Sequence, residues 1–586
     1  MPASMSRLIR MFFADRTRSM LMVVCLIVSG LGVAFGPIVL SRATDVLVDG
    51  LRRDGIQWSP FMLWLVFALG IYGVQFLSKW IAGWLSTRMV SDIAYELRNR
   101  IETKIWKLPL NYYDSKSLGD ILSRTTNDIN NVVLMLNQTG GDLLYYLLML
   151  VGILAMMVTL SWHLALVTVV LIPLSAFLVH CITSISAPQF RRQWDVTGIV
   201  NSLVEESFNG QTVIKSFGLE SRFEERFEEH NADLYRASFK ALGFSNLIQP
   251  CSRFLTNLNY VIVALVGAMR VVSGTMSIGD VQAFIQYARQ FSQPFTSLAQ
   301  MTSAIQSGNA SLRRVFELLD AEEEHPDSTH AMRERSLSGS VEFRDVSFSY
   351  VPDKPLIEHL NLKVEAGQTV AIVGSTGAGK TTLVNLIERF YEVNSGEIVF
   401  DDAIEIHDLT RHALRRNISM VLQDTWLRQG TIRDNISYGA PQIADVSHVR
   451  FVRACKAAFV DDFVDTLPLG FGTEITNEGT VVSAGEKQLL TIARAFLPQS
   501  NILILDEATS SVDTRTEALI QSAIDSLREG RTSFVIAHRL STIRGADIIL
   551  VMERGHIVEQ GSHEELLARN GTYAALYASQ FDHADQ

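Results

Sequence analysis

The residues best suited to chemistry lie in the run GSTGAGKT, from Gly374 to Thr381. Its spacing is G-x-x-x-x-G-K-[ST], in which glycines let backbone N–H groups wrap a chain of phosphates. The apolar run QTVAIV precedes it and the helical run TTLVNLIERFY follows, so the loop has the strand and helix it requires. Lys380 would reach the β- and γ-phosphates, and the Thr381 hydroxyl would bind Mg²⁺. The predicted nucleotide-binding residues of this loop are Gly374, Ser375, Thr376, Gly377, Ala378, Gly379, Lys380, Thr381 and Thr382.

Two neighbouring carboxylates, Asp506 and Glu507, follow the apolar run ILIL. At the end of a buried strand, the first can hold Mg²⁺ through water and the second can polarise the water that attacks the γ-phosphate. An apolar strand that ends in Asp-Glu is usually structural, but a phosphate loop in the same domain favours the catalytic interpretation. We therefore expect Asp506 at the metal and Glu507 as the catalytic residue.

The elements that must position these residues change character along the chain. From about residue 340, short β-rich runs such as SVEFRDVSFSY, NILILDE and TSFVIAH alternate with helical stretches. This alternation predicts an α/β domain with a largely parallel sheet over residues 339–586. The polar segment 320–338 is predicted to be the linker that precedes it.

The first half of the chain contains six long apolar runs. Each is long enough, at about 1.5 Å per residue, to cross roughly 30 Å of hydrocarbon, so we predict six transmembrane helices. Their predicted bounds are 19–41, 59–83, 141–161, 163–183, 254–272 and 277–302. Charged residues also make up 19% of the 586-residue chain, which indicates a membrane domain joined to a water-exposed one.

The charges predict how the chain is oriented. The long segments 87–138 and 184–248 and the N-terminal residues 1–18 carry most of the Lys and Arg of this half. By the positive-inside rule these segments, both chain ends and the α/β domain are cytoplasmic. Residues 1–18 would form a cytoplasmic elbow, and 19–319 the transmembrane domain. The net charge of −11 argues against nucleic acid as a partner.

These motifs and their order resemble the half-transporters of the ATP-binding cassette (ABC) exporters, and the resemblance covers essentially the whole chain. It implies an all-α polytopic membrane domain of six helices, followed by an α/β P-loop NTPase domain with a helical subdomain. It also implies ATP and Mg²⁺ as cofactors, ATP hydrolysis coupled to transport, and a second half-transporter subunit as partner.

The resemblance assigns roles to further single residues. Tyr350 matches the aromatic residue that stacks on adenine, and Gln423 matches the glutamine that touches Mg²⁺ and the membrane domain. His538 matches the switch histidine that contacts the γ-phosphate. Ser511 and Asp513, in the run SSVD, match the loop that signals between paired domains.

The segment from Val482 to Glu486 reads VSAGE, where the family usually has L-S-G-G-Q and uses it to bind the ATP held by the partner. Ser483 and Gly485 keep the hydroxyl and the close backbone. Ala484 replaces a glycine, and Glu486 replaces an amide by a carboxylate that only accepts hydrogen bonds. The change is either drift in a working signature or the mark of a chain that pairs with a different subunit. Heterodimeric relatives often combine a catalytic glutamate with a deviant signature, so we expect a heterodimer, with a homodimer still possible.

Segments 111–129 and 208–220 resemble the coupling helices that sit on the nucleotide-binding domains of this family. ATP bound between two such domains would close them, pull these segments together and switch the membrane helices from inward- to outward-facing. Hydrolysis would then reset the cycle.

Polar side chains recur at helical spacing in the last two predicted spans. Because polar groups at membrane depth are costly, they normally face a water-filled cavity or a neighbouring helix, and both interpretations stay open. The candidate pathway residues are Arg253, Asn257, Gln282, Gln286, Arg289 and Gln293.

The runs VLQDTWL, QLLTIARAFL and DEATSSVDTRTE resemble bacterial drug-exporter subunits. They predict a multidrug-type exporter of hydrophobic or amphipathic compounds, embedded in the lipid bilayer of a prokaryotic inner membrane. The alternatives are a lipid flippase, a siderophore importer with exporter architecture, and an ATP-gated channel or regulatory subunit. Glu507 and His538 together argue against the last, because such proteins tolerate loss of turnover.

Overall fold

The structure, a computed structural model, describes residues 3–52, 55–351, 354–375, 377–440, 446–476, 482–506, 513–537 and 540–581. The chain divides into two compact units. The first contains the chain up to Trp106 together with Leu118–Ala321, and the second contains Lys107–Ser117 together with the chain from Glu322 onward. A short piece of the first half of the sequence therefore belongs to the second unit.

Every described element of the first unit is a helix. Its helices are α1 (Ala3–Phe12), α2 (Arg16–Arg52), α3 (Trp58–Ile105), α5 (Leu118–Thr125), α6 (Asn127–Thr139), α7 (Asp142–Asn209), α8 (Gln211–Phe217), α9 (Glu220–Ser245), α10 (Ile248–Val272) and α11 (Ile278–Leu319). Helix α4 (Leu110–Asp114) belongs to the second unit. The helical half of the predicted fold class is confirmed.

The six predicted spans fall on five of these described helices: 19–41 on α2, 59–83 on α3, 141–161 and 163–183 on α7, 254–272 on α10, and 277–302 on α11. Among the described residues, Arg16–Arg52, Trp58–Ile105, Leu118–Leu171 and Glu220–Val272 are long and apolar enough to cross a membrane. Helix α3 continues from its predicted span to Ile105, because residues 84–105 contain neither Pro nor Gly. The extension adds roughly 30 Å at about 1.5 Å per residue.

Helix α7 is broken at one residue, between the third and fourth predicted spans. Ser161 has an extended backbone, with φ −165° and ψ 105°. Its Oγ accepts a hydrogen bond from the Leu164 N–H at 3.5 Å, so it caps the second part of the helix. Arg270 of α10 also donates to this Oγ, from Nη1 at 2.9 Å. The connection between the two spans is therefore a single serine held by side-chain hydrogen bonds.

Helix α11 begins with a capping box formed by Ser277 and Asp280. The Ser277 Oγ accepts from the Asp280 N–H at 2.9 Å, and the Asp280 carboxylate accepts from the Ser277 N–H at 3.1 Å. Asp45 of α2 accepts from the Gly279 N–H at 2.9 Å. These acceptors satisfy N–H groups that a helix start leaves without partners, which explains why the helix begins here.

The second unit is mixed α/β. Its strands are β1 (Val341–Phe348), β2 (Ile357–Val364), β3 (Thr369–Gly374), β4 (Ser395–Phe400), β5 (Ile404–Glu405), β6 (Ile418–Val421), β7 (Gly430–Thr431), β8 (Glu474–Ile475), β9 (Ile502–Asp506), β10 (Thr532–Ile536), β11 (Ile548–Glu553) and β12 (His556–Gly561). Besides α4, its helices are α12 (Lys380–Ile387), α13 (Arg411–Arg416), α14 (Ile432–Ser437), α15 (His448–Ala457), α16 (Asp461–Val464), α17 (Ala484–Phe496), α18 (Thr514–Arg528), α19 (Leu540–Arg544), α20 (His563–Arg569) and α21 (Thr572–Phe581).

The central sheet of this unit has the described strand order β12-β11-β3-β10-β9-β6, in which only the β11–β12 pair is antiparallel. A second, antiparallel sheet has the order β2-β1-β4-β5. Between β6 and β9 the chain forms α14 to α17, which make up the helical subdomain. The predicted α/β domain with a largely parallel sheet is confirmed.

The central strands are apolar on both faces, as a sheet covered on both sides must be. One face carries Ala371, Val373, Leu503, Leu505, Val535 and Val551, which pack with Phe451 of α15, Leu490 of α17 and Ile520 of α18. The other face carries Val370, Ile372, Ile502, Ile504, Phe534, Ile536 and Leu550, which pack with Phe343, Leu362 and Phe400 of the antiparallel sheet. Charged side chains are therefore confined to the strand ends. The predicted linker, 320–338, is irregular apart from an isolated bridge between Met332 and Leu409.

Glu388, which follows α12, makes stability depend on pH. Its side chain is buried, and burial raises the pKa of its carboxyl to about 7, against the opposing charge of Arg415. Because the folded pKa exceeds the unfolded value of 4.5, the folded state binds more protons, and stability falls as pH rises from about 4.5 through about 7. We expect Glu388→Gln to raise the Tm of the purified chain more at pH 8 than at pH 5.5, by roughly 3 °C.

The exposed Glu529, at the end of α18, is the matched control for this prediction. Glu529→Gln should change Tm equally at both pH values, because its carboxyl stays in water. Equal shifts in Tm from Glu388→Gln at pH 5.5 and pH 8 would contradict the assigned cause.

Candidate functional site

The carboxyl edge of the parallel sheet collects the predicted nucleotide residues. Strands β3, β10, β9 and β6 lie side by side and run in the same direction. Ile536 of β10 is level with Ile372 of β3 and with Asp506, the last residue of β9. In an open parallel sheet, ligands bind outside the carboxyl ends of the strands. The phosphate loop after β3 and Gln423 after β6 leave from this same edge.

The phosphate loop connects β3 to α12 and depends on glycine at two positions. Gly374 has φ 153°, and a Cβ there would lie 2.2 Å from the carbonyl oxygen of Met552. Gly379, which precedes α12, has φ 99°, a conformation that L side chains rarely adopt. Larger residues would distort the loop, and loops of this shape bind anions through successive N–H groups.

Lys380 is the first residue of α12 and lies against this loop. Its Nζ donates to the carbonyl oxygens of Gly374 at 2.8 Å and Ser375 at 3.0 Å. Burial lowers the pKa of the Lys380 ammonium, and the charge of Asp506 opposes that shift. A phosphate oxygen is a stronger partner for an ammonium than a neutral carbonyl, so the side chain is placed to exchange these bonds for phosphate.

Tyr350, the predicted adenine contact, lies beside the start of the same helix. Its hydroxyl is 3.1 Å from the Thr382 Oγ1, and its ring is exposed. The edge of this ring meets Tyr391, with ring centroids 4.9 Å apart and planes at 90°. The structure therefore brings Tyr350 and the phosphate loop together, with one ring available to a base.

The residues predicted to hold Mg²⁺ supply the right donor atoms. Thr381 offers a hydroxyl, Gln423 an amide oxygen and Asp506 a carboxylate, and Mg²⁺ prefers such oxygen ligands. Thr381 and Gln423 are exposed, and Asp506 lies close enough to Lys380 to influence its pKa. The donor set at this edge fits a magnesium ion.

The signature segment forms the start of α17, where Ser483 and Glu486 make a capping box. The Ser483 Oγ accepts from the Glu486 N–H at 3.3 Å, and the Glu486 Oε2 accepts from the Ser483 N–H at 2.6 Å. Ser483 and Ala484 are exposed, whereas Gly485 is buried. The unexpected carboxylate thus has a local role that a glutamine would also fill, and its negative charge is favourable at a helix N-terminus.

Four predicted site residues, Thr376, Glu507, Ser511 and His538, lie outside the described residues. The neighbouring Asp513 is described and is the N-cap of α18, where its carboxylate accepts from the Thr516 N–H at 3.0 Å. Hydrogen bonds with the Thr516 backbone and side chain lower the pKa of this carboxyl. The start of α18 is therefore anchored beside the predicted loop between paired domains.

The candidate pathway residues lie on α10 and α11. Gln282, Arg289 and Gln293 of α11 are exposed, as are Arg253 and Asn257 of α10. The Arg289 guanidinium lies 5.0 Å from the centroid of the Tyr260 ring, which joins the polar residues of the two helices.

Two glutamines of α11 differ in their surroundings. The Gln282 Oε1 is paired with the Thr44 Oγ1 of α2 at 2.5 Å, a helix–helix hydrogen bond. The Gln286 Oε1 is buried without a hydrogen-bond partner among the described residues. Helix packing therefore accounts for Gln282 and leaves Gln286 as a candidate for pathway contacts.

Sequence reasoning did not single out Tyr391, because a tyrosine after a helix shows no distinctive spacing. Its hydroxyl donates to the Asp114 Oδ2 at the end of α4, inside the first predicted coupling segment. In the second predicted coupling segment, Phe208, Val213 and Phe217 around α8 are exposed.

Comparisons with known proteins agree with this architecture. Residues 19–295 match the family described as ABC transporter transmembrane region, and residues 357–510 match the family described as ABC transporter. A fatty acid ABC transporter ATP-binding/permease protein of Mycobacterium bovis is 49% identical, over 89% of this chain and 82% of the relative. An ATP-dependent lipid A-core flippase of Syntrophus aciditrophicus is 33% identical, over 98% of this chain and 94% of the relative.

A solved structure of a bacterial Atm1-family ABC exporter with ATP bound superposes with a TM-score of 0.72. It is 28% identical in sequence, and the match covers 97% of this chain and 99% of the other. The shared architecture is that of a membrane transporter with an attached ATPase domain.

The chain belongs to the ABC transporter family and is a half-transporter of the exporter type. It is a multi-pass membrane protein that binds ATP and couples its hydrolysis to transport, and as a half-transporter it dimerises. The predicted family and enzyme class are confirmed.

The capping box yields a test of the charge at the signature. Glu486→Gln keeps an acceptor for the Ser483 N–H but removes a negative charge from a segment expected to face an anionic nucleotide. We expect the KM for ATP of the assembled dimer to fall by about threefold, measured by steady-state ATPase assays. Stability should stay nearly constant, because glutamine also fits this capping position.

Ser483→Ala is the comparison for this test. It removes the cap, so the free energy of unfolding should fall by about 1 kcal/mol. An unchanged KM for ATP in Glu486→Gln would show that the Glu486 charge does not act on the nucleotide.

Proposed function

We propose that the chain forms half of a dimer that uses ATP to export anionic amphipathic molecules with acyl chains, such as fatty acids or acidic lipids. The observation that carries this substrate class is Arg289. Its guanidinium is exposed on α11, inside the predicted span 277–302, and its described partner there is an aromatic ring. Neither Arg289 nor Arg253 has a carboxylate partner within the described part of the chain.

The physical argument is one of charge at membrane depth. An arginine in the middle of a membrane helix costs about 2.5–3.5 kcal/mol on insertion scales, so an anionic head group that pairs with it would be stabilised. A lipophilic cation would instead meet a like charge. The arginines therefore favour acyl anions over the cationic compounds that a multidrug-type exporter would include.

The relatives support the same class. One is named for fatty acids and others are named for lipid A-core. The multidrug specificity predicted from the sequence is the broader candidate, and a siderophore or a channel function finds less support in these names.

At the nucleotide site we assign Lys380 to the β- and γ-phosphates and Tyr350 to the adenine ring. Thr381, Gln423 and Asp506 would hold Mg²⁺, which neutralises charge on the phosphates when bound. Glu507 would polarise the attacking water, and His538 would contact the γ-phosphate. Ser483, Ala484, Gly485 and Glu486 would face the ATP of the partner, and Ser511 and Asp513 would signal across the interface.

We further propose that the protein lies in a prokaryotic inner membrane with residues 1–18, the nucleotide-binding domain and both termini in the cytoplasm. Its domains would be the membrane domain 19–319, the linker 320–338 and the nucleotide-binding domain 339–586. The Lys and Arg content of the long segments 87–138 and 184–248 supports this orientation.

Reconstitution in vesicles with the ATPase domains outward tests the substrate and the direction. We expect ATP to move a fluorescent phosphatidic acid from the outer to the inner leaflet, where the label is protected from quenching by dithionite. We also expect long-chain fatty acid to stimulate ATPase activity. Arg289→Gln should lower that stimulation by about fivefold, because the paired charge is lost. Glu507→Gln, which lacks the proposed catalytic carboxylate, is the inactive control.

A lipophilic cation is the matched ligand in the same vesicles. Strong stimulation by the cation, unaffected by Arg289→Gln, would favour the multidrug alternative over acyl anions. Movement of lipid from the inner to the outer leaflet would indicate import, and lipid movement without ATP hydrolysis would indicate a channel.

We also propose that the partner is a different subunit. The support is Glu486, which places a negative charge where the nucleotide of the partner would bind, while Glu507 keeps this chain catalytic. The exposed Phe208, Val213 and Phe217 provide an apolar surface for a partner to cover.

Expression of the chain alone tests the heterodimer. We expect the lone chain to show low ATPase activity, and co-expression with a second half-transporter from the neighbouring genes to yield a one-to-one complex with higher activity. Full ATPase and transport activity of the lone chain, measured after purification, would establish a homodimer instead.

A further inference from the structure

Helix α12 connects the phosphate loop to a segment that contacts two stretches of chain leading to the membrane helices, 107–117 and the linker. The helix begins at Lys380, in the phosphate loop, and ends at Ile387, about 12 Å away at helical rise. The next residues, 388–392, form what we call the junction segment. The contacts of this segment with Tyr350, with the stretch 107–117 and with the linker lie within the second unit.

Tyr391 of the junction segment has two partners of different kinds. On one side its ring meets the edge of Tyr350, with ring centroids 4.9 Å apart. On the other side its hydroxyl donates to Asp114, the last residue of α4. Helix α4 lies in the stretch that joins α3 to α5, so Asp114 is connected directly to the membrane helices along the chain.

Glu392 of the junction segment is held by two arginines that also hold the linker. Arg411 donates to the Glu392 Oε1 at 2.6 Å and to the Asp327 Oδ1 at 2.9 Å. Arg389, whose side chain is only 4% exposed, donates to the Glu392 Oε1 at 3.0 Å and lies 3.5 Å from Asp327. These partly buried ion pairs connect the junction segment, which carries Tyr391, to the linker.

The stretch 107–117, which contains α4, meets the rest of this unit around a cavity and through polar contacts such as the Lys107–Glu323 ion pair. A cavity of about 350 Å³, lined among others by Asn111, His325, Tyr350 and Tyr391, separates the surfaces. Around the cavity the described polar contacts of the stretch 107–117 include the bond from Tyr391 and the one from the Glu324 N–H to the Lys107 carbonyl oxygen at 2.8 Å. The bond from Tyr391 joins a hydroxyl to a carboxylate, and hydrogen bonds to an ionised acceptor are about twice as strong as neutral ones.

We propose that Tyr391 is a positioning residue that transmits occupancy of the nucleotide-base site from Tyr350 to the membrane helices through Asp114. A base stacked on Tyr350 restricts that ring, the ring restricts Tyr391 through their edge contact, and the Tyr391 hydroxyl holds the end of α4. This inference rests on the proposed role of Tyr350, and it adds a connection on the base side of the nucleotide, separate from the phosphates.

Tryptophan fluorescence supplies a readout that needs no transport substrate. Seven of the eight tryptophans lie before residue 200 and the eighth is Trp426, so Trp426→Phe leaves signals from the membrane unit alone. In this background, with the assembled dimer in lipid nanodiscs, ATP binding is followed by a fluorescent ATP analogue and the membrane response by tryptophan emission. We expect Tyr391→Phe to keep the Kd for the analogue within about twofold and to reduce the tryptophan response by about fivefold or more.

A double-mutant cycle identifies the partner. Asp114→Ala should reduce the tryptophan response as Tyr391→Phe does, and the double variant should be no worse than either single variant, since both remove one bond. Asp114→Asn, which retains an acceptor oxygen, should restore most of the response. Tyr235→Phe, on the exposed face of α9, removes a hydroxyl elsewhere and should change nothing.

Three outcomes would overturn the proposal: additive effects in the cycle, a normal tryptophan response in Tyr391→Phe, or a rise in the Kd for the analogue that matches the lost response. Failure of the proposed substrate class looks different. In that case fatty acid and phosphatidic acid leave the wild type unaffected, while the tryptophan response to ATP and its dependence on Tyr391 persist.

Discussion

The burial of the central parallel strands is the constraint on which the rest of the second unit depends. With β3, β9 and β10 packed on both faces, a charged side chain inside any of them would stand without water or a partner. Polar groups are therefore displaced to the strand ends, and parallel direction places those ends at one edge. This is why one edge of the sheet carries the phosphate loop, Asp506 and Gln423.

A different local constraint, the start of helix α17, explains why the signature tolerates an acidic residue. Glu486 lies at a helix start, where N–H groups without intrahelical partners favour a carboxylate, and its oxygen is already occupied by the Ser483 N–H. The electrostatic penalty toward a nucleotide and the local gain in helix stability thus oppose each other at one residue. The replacement of the usual glutamine by Glu486 departs from the motif but stabilises the start of the helix.

Much of the architecture was predictable because it follows from patterns that repeat or from motifs with fixed spacing. The P-loop, the buried strands and the long apolar helices belong to this class. The bond from Tyr391 to Asp114 was not predictable in this way, because it joins residues almost three hundred positions apart that have no shared periodicity. The capping role of Glu486 was also missed, although the spacing from Ser483 to Glu486 is the known signal for a capping box. The departure from the family consensus at this residue has a purely local explanation in the capping box.

The single-residue break at Ser161 has a mechanical consequence for the two spans of α7. No loop lies between the two spans, and Arg270 is hydrogen-bonded to the serine hydroxyl. The spans are therefore held together at this end. Their far ends, at Asp142 and toward Asn209, are free of that tie. If the two spans move apart, their separation must be smallest at Ser161 and largest at their opposite ends. A small rotation about Ser161 therefore produces a large displacement at those ends.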